Sequence, residues 1–171
     1  WGLGMGMILN GKLLYGKSGF SGEIGHFPML NNDQICQCGK RGCLETGASG
    51  YAAHRILMER LAEGRASILA DKFHSGQEIM LEDILMAIEE EDVLAIEVIE
   101  EIGGVLGRAI AGIINVFNPE LVVIGGKMAG AREYLMLPIK AAIQKHSLNI
   151  INKDTKIKTS RLGEKGGPIG A

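Results

Sequence analysis

The feature that most restricts how this chain can fold is "GHFPMLNNDQICQCGKRGCLE", residues 25–45, because it collects every cysteine of the sequence into one loop. Cys36, Cys38 and Cys43 follow the pattern C-x-C-x4-C, with His26 a short way upstream. An odd set of three cysteines cannot close into an internal disulfide framework. Gly39 and Gly42 allow the backbone to wrap tightly around the sulfurs. Three thiolates and one imidazole form a known tetrahedral structural zinc set, so His26, Cys36, Cys38 and Cys43 are the expected ligands of a zinc loop spanning 26–43. Redox-active or unliganded cysteines and an iron–sulfur cluster are the alternatives. With four protein ligands the ion has no open position, which gives it a structural role. Zinc binding releases about 10–16 kcal/mol in zinc-finger peptides, enough to order a loop that lacks a core of its own.

Two carboxylates flank this loop. Glu23 stands just before His26, and Glu45 just after Cys43. Carboxylates accept hydrogen bonds from hydroxyl groups, so Glu23, His26 and Glu45 held together suit a polyhydroxylated ligand such as a small sugar or sugar phosphate. The plainer readings are an exposed surface Glu23 and a Glu45 that caps the helix beginning near Ala48.

The rest of the sequence reads as one α/β unit. With 171 residues, 46% hydrophobic and 22% charged, it has material for a single cored domain. No apolar run approaches a membrane span, and a cytoplasmic location is expected. A formal charge of −2 gives no footprint for nucleic acid. The cluster Lys153, Lys156, Lys158 and Arg161 is expected on a solvated strand. The chain begins at Trp1 and ends at Ala171, each inside an apparent motif, so a piece of a longer protein is expected.

Asn10-Gly11 between apolar runs predicts a hairpin, with strands at about 3–9 and 12–16. Gly2, Gly4 and Gly6 recur at period two and leave one strand face bare, for a ligand or for a close strand crossing. Helices are predicted from Ala48 to about 63, over 81–90, over 91–117 and over 130–145. The longest carries Ile99, Ile102, Leu106, Ile110, Ile113 and Phe117 on one face. Its glycines, Gly103, Gly104, Gly107 and Gly112, imply close approach of a neighbouring element. The acidic run Glu89 to Asp92 is expected to be solvated. "LVVIGGK" at 121–127 predicts a buried strand, and 155–162 another. The strands are expected in a mixed sheet covered by helices.

"GEIGH" (22–26), "CQCGKRGCLE" (36–45) and "NPELVVIGG" (118–126) together resemble the ROK family of repressors, open reading frames and sugar kinases. The resemblance extends over residues 1–171 as a C-terminal lobe, and it implies an actin-like ATPase (ribonuclease H-like) fold with an inserted zinc loop. It places His26, Cys36, Cys38 and Cys43 on the zinc ligands, and Glu23, His26 and Glu45 on the sugar contacts. Gly2, Gly4 and Gly6 fall on a phosphate loop, and Gly125 and Gly126 on the glycines approaching adenosine. The family's catalytic Asp and any helix-turn-helix would lie upstream of residue 1. Trp1 replaces a small hydroxylated residue usual in the kinases, and Lys127 a third glycine. These departures favour the sugar-sensing lobe of a transcriptional repressor that would meet DNA only through an N-terminal module; the resemblance also implies a homodimer. The alternative is an ATP- and Mg²⁺-dependent sugar kinase of the glucokinase or N-acetylhexosamine kinase type.

Overall fold

The computed structural model describes residues 2–160 and Leu162. Trp1 and Arg161 lie outside the described residues. An antiparallel ladder, β1 (Ile8–Leu9) and β2 (Lys12–Leu13), opens the chain. Then follow α1 (Glu45–Ala48), α2 (Gly50–Ala62), α3 (Ala70–His74), α4 (Leu81–Glu89) and α5 (Val93–Phe117). The chain continues through β3 (Leu121–Ile124), α6 (Glu133–His146), α7 (Asn149–Asn152) and β4 (Lys156–Thr159).

The hairpin forms where Asn10 and Gly11 both take positive φ, 52° and 74°. Its first strand is shorter than predicted. Among residues 2–7, Met5 N–H donates to the Gly22 carbonyl at 3.0 Å, and Met7 accepts from Leu14 N–H at 2.8 Å. The glycine segment therefore lies against the loop that follows it, in place of extending a regular ladder.

The 25-residue α5 is the axis of the core. It starts cleanly because Asp92 Oδ1 accepts from Ala95 N–H at 2.8 Å. The second oxygen of Asp92 accepts from Ile68 N–H at 2.8 Å, which ties down the loop before α3. Asp92 is buried, whereas Glu89, Glu90 and Glu91 are exposed, so the acidic run is solvated only in part. Asn118 ends the helix in the left-handed region at φ 43°.

Two of the four α5 glycines explain how α6 packs. A methyl group on Gly103 would fall 2.6 Å from Pro138 Cγ and 2.8 Å from the Leu135 carbonyl oxygen. One on Gly107 would fall 2.6 Å from the Ile139 oxygen and 2.7 Å from Ala142 Cβ. Being four residues apart, they share a face. Gly104 and Gly112 meet nothing within 4 Å and do not contribute to this approach. Ile99, Ile102, Ile110 and Ile114 are buried with Leu135, Ile139 and Ile143 of α6.

The strands depart from the expected single mixed sheet. Among the described residues there are two separate two-stranded ladders, β1 with β2 and, in parallel, β3 with β4. Leu121 pairs with Lys156 and Ile124 with Thr159, the parallel sense that a helical crossover permits. β3 is partly buried, and on one face only. Val122 and Ile124 pack on the core, while Leu121 and Val123 are 46% and 54% exposed. Its unbroken apolar run therefore serves a core on one side and an open surface on the other. No helix among the described residues is long and apolar enough to cross a membrane.

Candidate functional site

The cysteine loop closes on itself through backbone contacts. Cys36 N–H donates to the Lys40 carbonyl at 2.8 Å, and Gly39 N–H to the Cys36 carbonyl at 2.8 Å. Gly39 and Gly42 sit at φ 82° and 77°, where a side chain is strained. Gly42 also lies so near the Leu30 carbonyl that a Cβ would come within 2.6 Å of its oxygen. Thr46 donates its hydroxyl to the Cys43 carbonyl at 2.8 Å, joining the loop to α1.

These contacts bring the four predicted ligands together. One ligand atom each from His26, Cys36, Cys38 and Cys43 lies within 4.8 Å of the others. Cys38 and Cys43 sulfurs are 3.6 Å apart, and Cys36 Sγ is 3.5 Å from His26 Nδ1. Ligands at the usual zinc distances of about 2.3 Å to sulfur and 2.0 Å to nitrogen have tetrahedral edges of about 3.5–3.8 Å. The donor set and its spacing therefore fit a metal ion. Two thiols differ in their protein environment. Burial pushes Cys43 up to about 12, whereas the backbone hydrogen bond at Lys40 holds exposed Cys38 below the usual thiol range.

The sugar candidates divide into two groups. Glu23 and His26 flank a short 3-10 turn, Ile24–His26, and Glu23 Oε2 lies 3.9 Å from His26 Nε2. The two ring nitrogens thus face different ways, Nδ1 toward sulfur and Nε2 toward a carboxylate. Glu45, half-buried, caps nothing in its own helix; Ser49 caps α2 by accepting from Ala52 N–H at 3.1 Å. Instead Glu45 Oε2 accepts from Leu3 N–H at 2.8 Å, across 42 positions of sequence. Its Oε1 lies 3.9 Å from Cys36 Sγ. A recess of about 290 Å³ opens beside Glu45, lined also by Gly2, Gln37 and Tyr51. Glu23 and His26 are not among its lining residues.

Gln37 and Tyr51 were not foreseen as site residues. Gln37 carries no signal beyond its place between two ligands. Tyr51 lies in the helix predicted from Ala48 and is 46% exposed.

The glycines meet at a second feature. Gly2, Gly4, Gly6, Gly125 and Gly126 all line one cleft of about 1050 Å³. Its apolar floor includes Ile102, Leu106, Ile110, Ile113 and Phe117 of α5. The last turns of the helix stripe thus face this cleft, and Phe117 is 50% exposed. Gly126, at φ 81°, turns the chain out of β3, and Lys127 just beyond it is ion-paired with Glu82 of α4.

With this geometry, the chain can be placed among known proteins. A sequence model of the ROK family matches residues 1–171, and the chain belongs to that family. A glucokinase of Halalkalibacterium halodurans is 36% identical over 170 residues, covering 99% of this chain and 52% of the relative. The crystal structure of a ROK family transcriptional regulator, a homolog of the Escherichia coli MLC protein, shares 40% identity at a TM-score of 0.84. That match covers 92% of this chain and 39% of the regulator. A ROK family glucokinase from Streptomyces griseus, solved with glucose and AMPPNP, aligns at a TM-score of 0.86 and 28% identity, covering 99% of this chain and 55% of that one. The chain spans about half the length of the glucokinases it matches. Its architecture is α/β, its structural relatives have the actin-like ATPase fold, and its relatives include both repressors and kinases.

Proposed function

We infer that this chain is the sugar-binding, zinc-bearing lobe of a ROK transcriptional repressor. The observation that carries the reading is the four-ligand cluster with Glu23 and Glu45 at its two edges. Zinc at His26, Cys36, Cys38 and Cys43 neutralises the packed sulfurs and fixes the loop. The residues around it do the binding. Glu23 and His26 offer polar atoms at one edge of the cluster, and Glu45 borders a recess at the other. Carboxylate acceptors and a ring nitrogen match the hydroxyl pattern of a hexose. In a repressor, a sugar held there favours one arrangement of the whole protein by binding it better than the other.

Two features favour a sensor over an enzyme. Trp1 stands where kinases of the family usually carry a small hydroxylated residue. Lys127 adds a long side chain, held by Glu82, beside the glycines of the large cleft. A sugar kinase is the second reading, favoured by the glucokinase relatives and by the convergence of five glycines on one cleft. Incubation of the full-length protein with glucose or N-acetylglucosamine and MgATP separates the two. The sensor reading expects sugar binding without ADP formation above background. Sugar-dependent ADP release overturns it in favour of the kinase.

A further inference from the structure

We propose that Glu45 is a positioning residue: Oε2 holds the glycine-rich strand through Leu3 N–H and Oε1 lies against Cys36 Sγ, while the carboxylate borders the recess where a ligand would sit, so that order in the metal loop is passed to the wall of the large cleft. The ligand half of this statement rests on the sugar-site reading above; the strand-holding half does not.

The contact is built from both sides. Leu3 N–H donates to Oε2 at 2.8 Å, and a Cβ on Gly2 would sit 2.7 Å from that same oxygen. The absence of a side chain at Gly2 therefore admits the carboxylate. On the other side, a Cβ on Gly25 would fall 2.2 Å from the Leu3 carbonyl oxygen, and one on Gly22 1.8 Å from that of Met5. Residues 2–5 thus run through a slot whose walls are glycine backbone and one carboxylate. Gly2, Leu3, Gly4 and Met5 also line the 1050 Å³ cleft. Glu45 follows Cys43 by two positions in the turn that Thr46 ties to the Cys43 carbonyl. Displacing the cysteine loop moves Glu45, and Glu45 moves the strand.

Glutamine separates the two halves. Its single amide oxygen can still accept from Leu3, which leaves only an NH₂ donor where the ligand needs an acceptor. Hydrogen exchange at Leu3, read against amides of α5, reports the clamp, and calorimetric titration of hexoses reports the ligand side. Glu45→Ala should raise Leu3 exchange by about tenfold or more, the loss of one charge-assisted hydrogen bond. Glu45→Gln should keep Leu3 protected while weakening sugar binding about tenfold. Gly2→Ala, which leaves every metal ligand in place, should expose Leu3 as Glu45→Ala does, and it serves if the latter loosens α5. Chelating the metal should raise Leu3 exchange in the unaltered protein but add nothing in Glu45→Ala. Unchanged Leu3 exchange in both Glu45→Ala and Gly2→Ala overturns the clamp, and unchanged exchange on chelation overturns its link to the metal loop. Full sugar affinity in Glu45→Gln, with the clamp effects intact, removes Glu45 from the sugar site and leaves the strand-holding role standing.

Discussion

Replacing Gly107 with alanine should destabilise the protein, while the same change three residues earlier, at Gly104, should stabilise it. A Cβ at position 107 would stand 2.6 Å from the Ile139 oxygen, 2.7 Å from Ala142 Cβ and 2.9 Å from Ile139 Cα. Each is roughly 1 Å short of the 3.5–4.0 Å optimum for non-bonded contact. Two of these atoms are backbone, so no rotamer change relieves them and α6 must move away from α5. Overpacking of this kind costs about 1–3 kcal/mol, and the better helix propensity of alanine returns about 1 kcal/mol. Because the clash falls on backbone, a net loss of about 1–2 kcal/mol is expected for Gly107→Ala. A Cβ on Gly104 meets nothing within 4 Å, so only the propensity gain of about 0.5–1 kcal/mol applies. At about 2–4 °C per kcal/mol for a chain of this size, the two variants should differ by roughly 3–12 °C in Tm. Thermal melts followed by far-ultraviolet circular dichroism read this directly. Equal shifts of the same sign would refute the assignment of the α5–α6 contact to Gly103 and Gly107.

Further outcomes follow from single side chains. Asp92→Ala removes both the α5 cap and the acceptor for Ile68 N–H, and should cost about 2–3 kcal/mol in urea denaturation; Asp92→Asn should recover part of that loss. The Asp83 carboxyl is held below its ordinary range by Lys72 at 2.6 Å and by Met80 N–H at 2.7 Å. With a folded-state value below the unfolded one, its contribution is complete above about pH 4 and is lost as pH falls through the depressed value. Stability of Asp83→Asn measured between neutral and strongly acidic pH should therefore fall less steeply than that of the unaltered protein. Cys38→Ser should abolish stoichiometric zinc by atomic emission and lower Tm, because a structural site contributes folding free energy.

What could be read from sequence, and what could not, follows from how far each signal reaches. α5 was legible because its apolar step of three and four persists over about five turns, from Ile99 to Phe117, and Asn118-Pro119 stops it. The hairpin was legible because Asn10-Gly11 admits almost no other turn. α3 and α7 were not, being only five and four residues long and so without a period to detect. The exposed face of β3 was hidden because a continuous apolar run reads the same whether one or both sides are covered. The metal cluster came from local spacing, which a loop preserves. The Glu45–Leu3 contact spans 42 positions and involves a backbone amide, so no residue type announces it. Gly2, Gly22 and Gly25 carried the hint, but a glycine does not say what it is making room for.

The most direct test of the account is a calorimetric titration of hexoses, glucose and N-acetylglucosamine first, into the zinc-loaded full-length protein, repeated after chelation and after zinc is restored. Saturable binding of one sugar per chain is expected, weakened by about tenfold or more without metal, as for loss of ordered ligand groups, and recovered with it. Sugar affinity that stays the same in protein shown to be metal-free would contradict it.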